Sequence, residues 1–194
     1  GSSGLEEVEC SHHVRLEKVL RSVDGPIDVA WDSDSTILVS TLHDGAVAFL
    51  TFANGKLTTQ AIVSVGDEPR GIAVLRKGRA TAKRSGGGDQ GLQDRAFVAV
   101  SGMDEIAVLD PMAQKVVRRI DAGSEPQWLA VAPNQQWLVV SCNHPGQVLV
   151  YDTATYQLLS RREIFGEVLN VGVPAILPDS STIILPHIVN RTFG

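Results

Sequence analysis

Lys115-Val116-Val117-Arg118-Arg119-Ile120-Asp121-Ala122-Gly123-Ser124-Glu125-Pro126 matches Lys18-Val19-Leu20-Arg21-Ser22-Val23-Asp24-Gly25-Pro26 in residue type and order. A looser copy, Ile62-Val63-Ser64-Val65-Gly66-Asp67-Glu68-Pro69, lies between them, and Gly172-Val173-Pro174 gives a fourth Gly-Pro punctuation. The turn prolines are therefore 26, 69, 126 and 174, with spacings of 43, 57 and 48. The long middle interval contains residues 76–95, polar, glycine-rich and without period, the composition of a disordered inserted loop. Without most of it the period falls in the forties, the repeat length of a propeller blade.

Each proline opens a series of short apolar runs. The first runs are Ile27 to Trp31, Ile72 to Leu75, Trp128 to Ala132 and Ala175 to Leu177. The second are Ile37 to Val39, Phe97 to Val100, Trp137 to Val140 and Ile183 to Leu185. Ala46 to Leu50, Ile106 to Leu109 and Val148 to Tyr151 follow as third runs, with a fourth leading to the next Gly-Pro. Runs this short, rich in Val and Ile and bounded by Gly, Pro, Asn and Asp, predict four antiparallel strands per repeat. The segment around Leu16 is the one helix candidate, and the repeat match makes it a strand. Runs such as Trp137-Leu138-Val139-Val140 lack polar alternation, so both faces of each sheet are to be covered. Blades stacked side by side achieve this, and the fold class is all-β, with β-propeller blades. The predicted organisation is a flexible N-terminal segment, 1–13, then propeller repeats over 14–194. Trp31, Trp128 and Trp137 fall inside strands and read as fillers between blades.

Gly123 to Asn134, followed by Trp137-Leu138-Val139-Val140-Ser141 and Val148-Leu149-Val150-Tyr151-Asp152-Thr153, resembles the YVTN-type β-propeller repeat. Ile106-Ala107-Val108-Leu109-Asp110 and Pro178-Asp179-Ser180-Ser181 resemble further copies of its elements, and the likeness covers roughly residues 14–190. The Tyr-Val-Thr-Asn element is degraded to Val-Val-Ser-Cys and Val-Ala-Val-Ser, and the first repeat, Gly45 to Leu50, lacks the Asp. The resemblance implies a bacterial or archaeal protein in a periplasmic or cell-envelope setting, and in some members fusion to cytochrome c or di-haem peroxidase-like domains. Ile183 to Arg191 resembles the junction region of those haem-linked propellers. Haem would then lie in a neighbouring domain, with no cofactor within the chain and electron transfer as the redox role.

Composition narrows the function classes. The 194 residues are 43% hydrophobic and 20% charged, a globular profile. The net charge of −5 supplies no basic field for phosphates, so nucleic acid is not an expected partner. No apolar stretch is long enough for a transmembrane helix. Cys10 and Cys142 form no Cys-x-x-Cys pair, which excludes a zinc ribbon and covalent c-type haem attachment; a disulfide and two free thiols both stay open. Gly1 to Gly4 are followed by no charged-then-apolar signal segment. Neither a nucleophile elbow, a His-Glu-x-x-His helix nor a P-loop is present, and no catalytic residue is assigned.

The remaining candidates lie in loops. In a propeller blade the turn before the first strand and the loop joining the second to the third open on one face, around the channel. Those positions carry His43, Asp44, Glu68, Arg70, Asp104, Glu125, Gln127, His144 and His187. Imidazoles and carboxylates so placed can hold a metal, touch a haem propionate or orient a polar ligand. The same residue types are also ordinary turn formers. A protein or small-molecule ligand on this face is the expected partner, along with other blades or haem domains of the same polypeptide. Arg76, Lys77, Arg79, Lys83 and Arg84 place a basic cluster in the insertion, on the opposite face. The repeat starts and stops within a blade, so a segment of a longer propeller, of about seven blades, is expected.

Overall fold

The computed structural model describes residues 5–10, 14–20, 23–32, 35–76, 94–164 and 168–189. Among the described residues all regular structure is β except one 3-10 turn, Ser101–Met103. A hairpin of β1 (Leu5–Cys10) and β2 (Val14–Leu20) comes first. The helix candidate around Leu16 is thus a strand, and Leu5–Cys10 of the N-terminal segment is paired.

Three four-stranded antiparallel sheets follow, each a meander in chain order. Blade one is β3 (Pro26–Trp31), β4 (Thr36–Thr41), β5 (Ala46–Ala53) and β6 (Lys56–Ser64). Blade two is β7 (Pro69–Leu75), β8 (Arg95–Val100), β9 (Glu105–Asp110) and β10 (Lys115–Asp121). Blade three is β11 (Pro126–Val131), β12 (Trp137–Cys142), β13 (Gln147–Asp152) and β14 (Leu158–Glu163). The insertion between β7 and β8 lies outside the described residues from 77 to 93, as do Lys77, Arg79, Lys83 and Arg84 of the basic cluster. Arg76 is described: its backbone N–H donates to Gln135 Oε1 at 2.9 Å and its guanidinium to the Trp31 carbonyl.

A fourth unit consists of β15 (Val168–Val171), β16 (Ala175–Ile176), β17 (Ile183–Ile184) and β18 (His187–Val189). Val171 pairs with His187 and Ala175 with Ile184, so β15–β16 runs as an interrupted first strand and β17–β18 as a second. The pairing corrects the proline register. In blade three Pro126 pairs with Cys142 and Ala130 with Val139, the same two offsets. Val171 therefore occupies the turn-proline position, and Pro174 stands level with Leu129 inside the strand.

Burial follows the joints between blades. Leu38, Val47 and Phe49 of blade one pack with Ile72, Val98, Val100 and Leu109 of blade two. On its other side blade two presents Phe97, Ala99, Ile106 and Val108 to Leu129, Leu138, Val140 and Leu149 of blade three. This is why strands two and three read as unbroken apolar runs: successive residues enter different joints. β7 packs on β3 and β4, and β11 on β7 and β8, so each inner strand leans on the blade before it in sequence. Buried serines tie the joints where backbone carbonyls need donors: the Ser40 hydroxyl donates to the Arg70 carbonyl, and the Ser141 hydroxyl to Gly172 at 3.1 Å.

The tryptophans depart from expectation. Trp128 and Trp137 are half-buried, but Trp31 is 48% exposed, because its face of β3 has no inner strand packed against it among the described residues. Cys142 is a free, buried thiol whose Sγ lies 3.3 Å from the Ala122 carbonyl. Burial pushes its pKa up to about 12, so it stays protonated and unreactive at neutral pH.

Candidate functional site at the leading turns

The turn before each first strand is fastened to the end of the second strand of the same blade. Leu42 N–H donates to the Gly25 carbonyl at 2.7 Å, Ser101 to Glu68 at 3.0 Å, and Asn143 to Glu125 at 3.1 Å. The accepting residue has left-handed backbone in all three, with φ of 63° at Gly25, 49° at Glu68 and 48° at Glu125. Two glutamates thus adopt a conformation that glycine takes at no steric cost, which marks a turn over-determined by its surroundings. Turn and hairpin lie together at one end of each blade, as the sequence predicts.

In blade three the left-handed turn aims the Glu125 carboxylate at its own hairpin, where Oε2 lies 2.8 Å from His144 Nδ1. The Glu125 backbone N–H donates to Asp104 Oδ1 of blade two at 2.8 Å, which links the two blades. Blade one reaches the same pairing by another route. Gly25 has no side chain, and a Cβ there would sit 2.9 Å from the His43 ring. The carboxylate comes instead from Asp24, whose Oδ1 is 3.2 Å from His43 Nδ1, while Asp24 N–H donates to Asp44 Oδ2 at 2.9 Å. Each carboxylate fixes Nδ1 and so orients the ring, leaving Nε2 as the nitrogen with which to engage a ligand.

The other candidates divide. Glu68 accepts from Arg70 Nη2 at 3.1 Å, whereas Arg70 Nε is buried without a partner. Gln127 is buried, and its amide donates to Ser101 Oγ across the joint at 2.9 Å. His187 belongs to β18, level with Cys142 by strand pairing rather than in the loop position of His144. Among the described residues no three His, Cys, Asp or Glu side chains gather as metal ligands. The geometry is therefore that of separate imidazole–carboxylate pairs on blades one and three. They are exposed, and such pairs contribute at most about 1 kcal/mol to stability.

Asp28 and Asn143 take parts here that sequence reading did not assign. Asn143 Oδ1 accepts from Val171 N–H at 3.1 Å, bridging blade three to the fourth unit. Asp28 lies inside the first apolar run, yet its carboxylate crosses to blade two and accepts Ile72 N–H at 2.9 Å. Burial raises the Asp28 pKa above 3.8, partly offset by hydrogen bonds from Ile72 and Val29. A carboxylate with a raised folded-state pKa destabilises the fold as pH climbs through the unfolded value toward the folded one. Asp28→Asn, which keeps an acceptor for Ile72, is therefore expected to match the parent below pH 3.8 and exceed it in stability at pH 7. Asp28→Ala, which orphans that N–H, is expected to fall below Asn by about 1 kcal/mol in urea titrations at pH 7.

A scan against protein-family models found no match, and a search of curated proteins found none either. Among solved structures the chain is similar to hydrazine synthase of Kuenenia stuttgartiensis, at 18% identity and a TM-score of 0.67. The likeness covers 89% of this chain and 44% of that one, so the sequence spans less than half the neighbour's length. At this identity the likeness speaks for the fold: an all-β arc of propeller-like, four-stranded blades. No helix among the described residues is long and apolar enough to cross a membrane.

Proposed function

We propose that this chain is a non-catalytic propeller module of YVTN type, set within a larger exported or cell-envelope protein, whose leading turns and hairpins form a binding face. The observation that carries the reading is the repeated fastening of turn to hairpin, which holds His43 and His144 against their carboxylates at the same end of blades one and three. Fixed polar groups on a rigid scaffold reduce the ordering cost of binding. A protein or polar small molecule is the ligand class such a face suits. No nucleophile with a base and an orienting group accompanies these pairs among the described residues, which favours binding over catalysis.

Carboxyl footprinting with a water-soluble carbodiimide tests this on the native protein in its cellular assembly and after purification. Asp44, Glu68 and Glu125 are expected to be labelled less in the assembly, while Asp179, in the turn between β16 and β17 at the opposite end, labels equally. Uniform labelling would sink the binding-face reading. The rival, a propeller portion of a c-type haem protein, rests on the sequence resemblance. Intact mass and visible absorption of the native gene product decide it, since covalent haem registers in both.

A further inference from the structure

The three blades share a register that shows what each position is for. Val29 pairs with Val39, Ile72 with Val98, and Leu129 with Val140, each three residues beyond the turn proline on the first strand and two inside that proline's partner on the second. Ile72 is 5% exposed because it enters the joint with blade one, and Leu129 is 4% exposed because it enters the joint with blade two. Val29 is the same residue of blade one and is 55% exposed. Two positions on, Val74 and Val131 pack into those joints, while Trp31 stays open. Further out on this face Val39, Ala48 and Leu50 are buried with Val23 and Leu57. The opening is confined to the inner strand.

The opposite side of the blades carries a second signature. Ala30, Ala73, Ala130 and Ala175 pair with Leu38, Phe97, Val139 and Ile184. A small residue opposite a large apolar one lets the next inner strand approach and gives its Ile72 or Leu129 a surface to meet. Leu38, Phe97 and Val139 are fully buried, whereas Ile184 is 55% exposed. The knob at one end of the arc and the socket at the other are thus both vacant, and each has the chemistry of a joint between blades.

We propose that Val29 and Trp31 seat the inner two strands of a further propeller blade carrying an alanine opposite a large apolar residue, and that Ile184 receives the inner strand of another, both supplied by the polypeptide to which this sequence belongs. The same polypeptide is the source because every joint in the structure forms between blades consecutive in the chain. The inference rests on the reading of the chain as a module within a larger protein and adds the surfaces through which it joins the rest.

Cysteine labelling tests it, because Cys142 is buried and inert. In a Cys10→Ser background, Val29→Cys, Ile184→Cys and, as control, Ile62→Cys are made in the 194-residue chain and in the native gene product. Ile62 is 51% exposed on an outer strand and belongs to no joint. Maleimide is expected to react with the first two at least about tenfold more slowly in the native product, with Ile62→Cys unchanged. Val29→Asp is expected to lower the Tm of the native product and leave the 194-residue chain unaffected. Equal labelling in a larger native product overturns the docking inference and leaves the module reading standing. A native product with the mass of these residues alone overturns both. A dimeric 194-residue chain in light scattering, with Val29→Cys protected, assigns the surface to a second copy and overturns the inference.

Discussion

Phe97→Ala is expected to lower the unfolding free energy by about 3–5 kcal/mol, measured by urea titration with an unchanged m-value. Phe97 is fully buried in the joint of blades two and three, between Leu75, Ile106 and the Leu129 side of the next sheet. Its ring meets Tyr156 edge-on, with centroids 6.2 Å apart and planes at 70°, and Arg118 stacks on the far partner at 5.2 Å. Truncation therefore empties a seam bounded by two hydrogen-bonded sheets, which cannot collapse as a loop would. It also removes the surface that steadies Tyr156. Phe52→Ala serves as the control: that ring is partly exposed at the end of β5, and its loss is expected to cost less than half as much. Equal effects would mean that the joint does not carry the stability assigned to it.

Gly71→Val is expected to cost about 3 kcal/mol or to shift the third blade bodily, through overpacking rather than a cavity. A Cβ at Gly71 would lie 2.8 Å from Trp128 Cα, 2.9 Å from the Gln127 carbonyl oxygen and 3.1 Å from Leu129 N. All three are backbone atoms of β11, so no side chain can swing aside. The strands β7 and β11 approach this closely because their joint contains only a glycine at that step. Gly55 offers the contrast. It has a φ of 66° and nothing within 4 Å, so Gly55→Asn, a residue that accepts left-handed backbone, is expected to be nearly neutral. If Gly71→Val proved equally neutral, the close approach of the inner strands would be wrong.

Strand positions were legible because the signals that set them are local. Val and Ile runs bounded by Gly, Pro, Asn and Asp reappear as the first three strands of blades one to three, within three residues of the predicted ends, and a fourth strand follows in each. Pro174 misled because a proline marks a turn only when its register agrees, and pairing places Val171 at that point instead. The loop residues were found by type and repeat position, but not their partners. His43 and His144 each pair with a carboxylate 19 positions earlier in the chain, a separation fixed by the length of a strand hairpin and its turn. Asp24 escaped notice because the glycine beside it changes which residue can reach the ring. Asp28 escaped because it stands in an apolar run, and only the packing of β7 against β3, which brings Ile72 N–H alongside, gives it an acceptor's role. Trp31 was legible as apolar but not as exposed, since exposure depends on what lies across the joint.

The two large apolar clusters meet in no common centre; the sheet of blade two separates them. The molecule is held as a row of masonry is held, by mortar lines between courses. A defect in one line weakens that line and reaches the next only through the course they share. Phe49 and Phe97 lie in different lines, so their separate losses sum, and a change confined to the outermost course leaves the far one undisturbed.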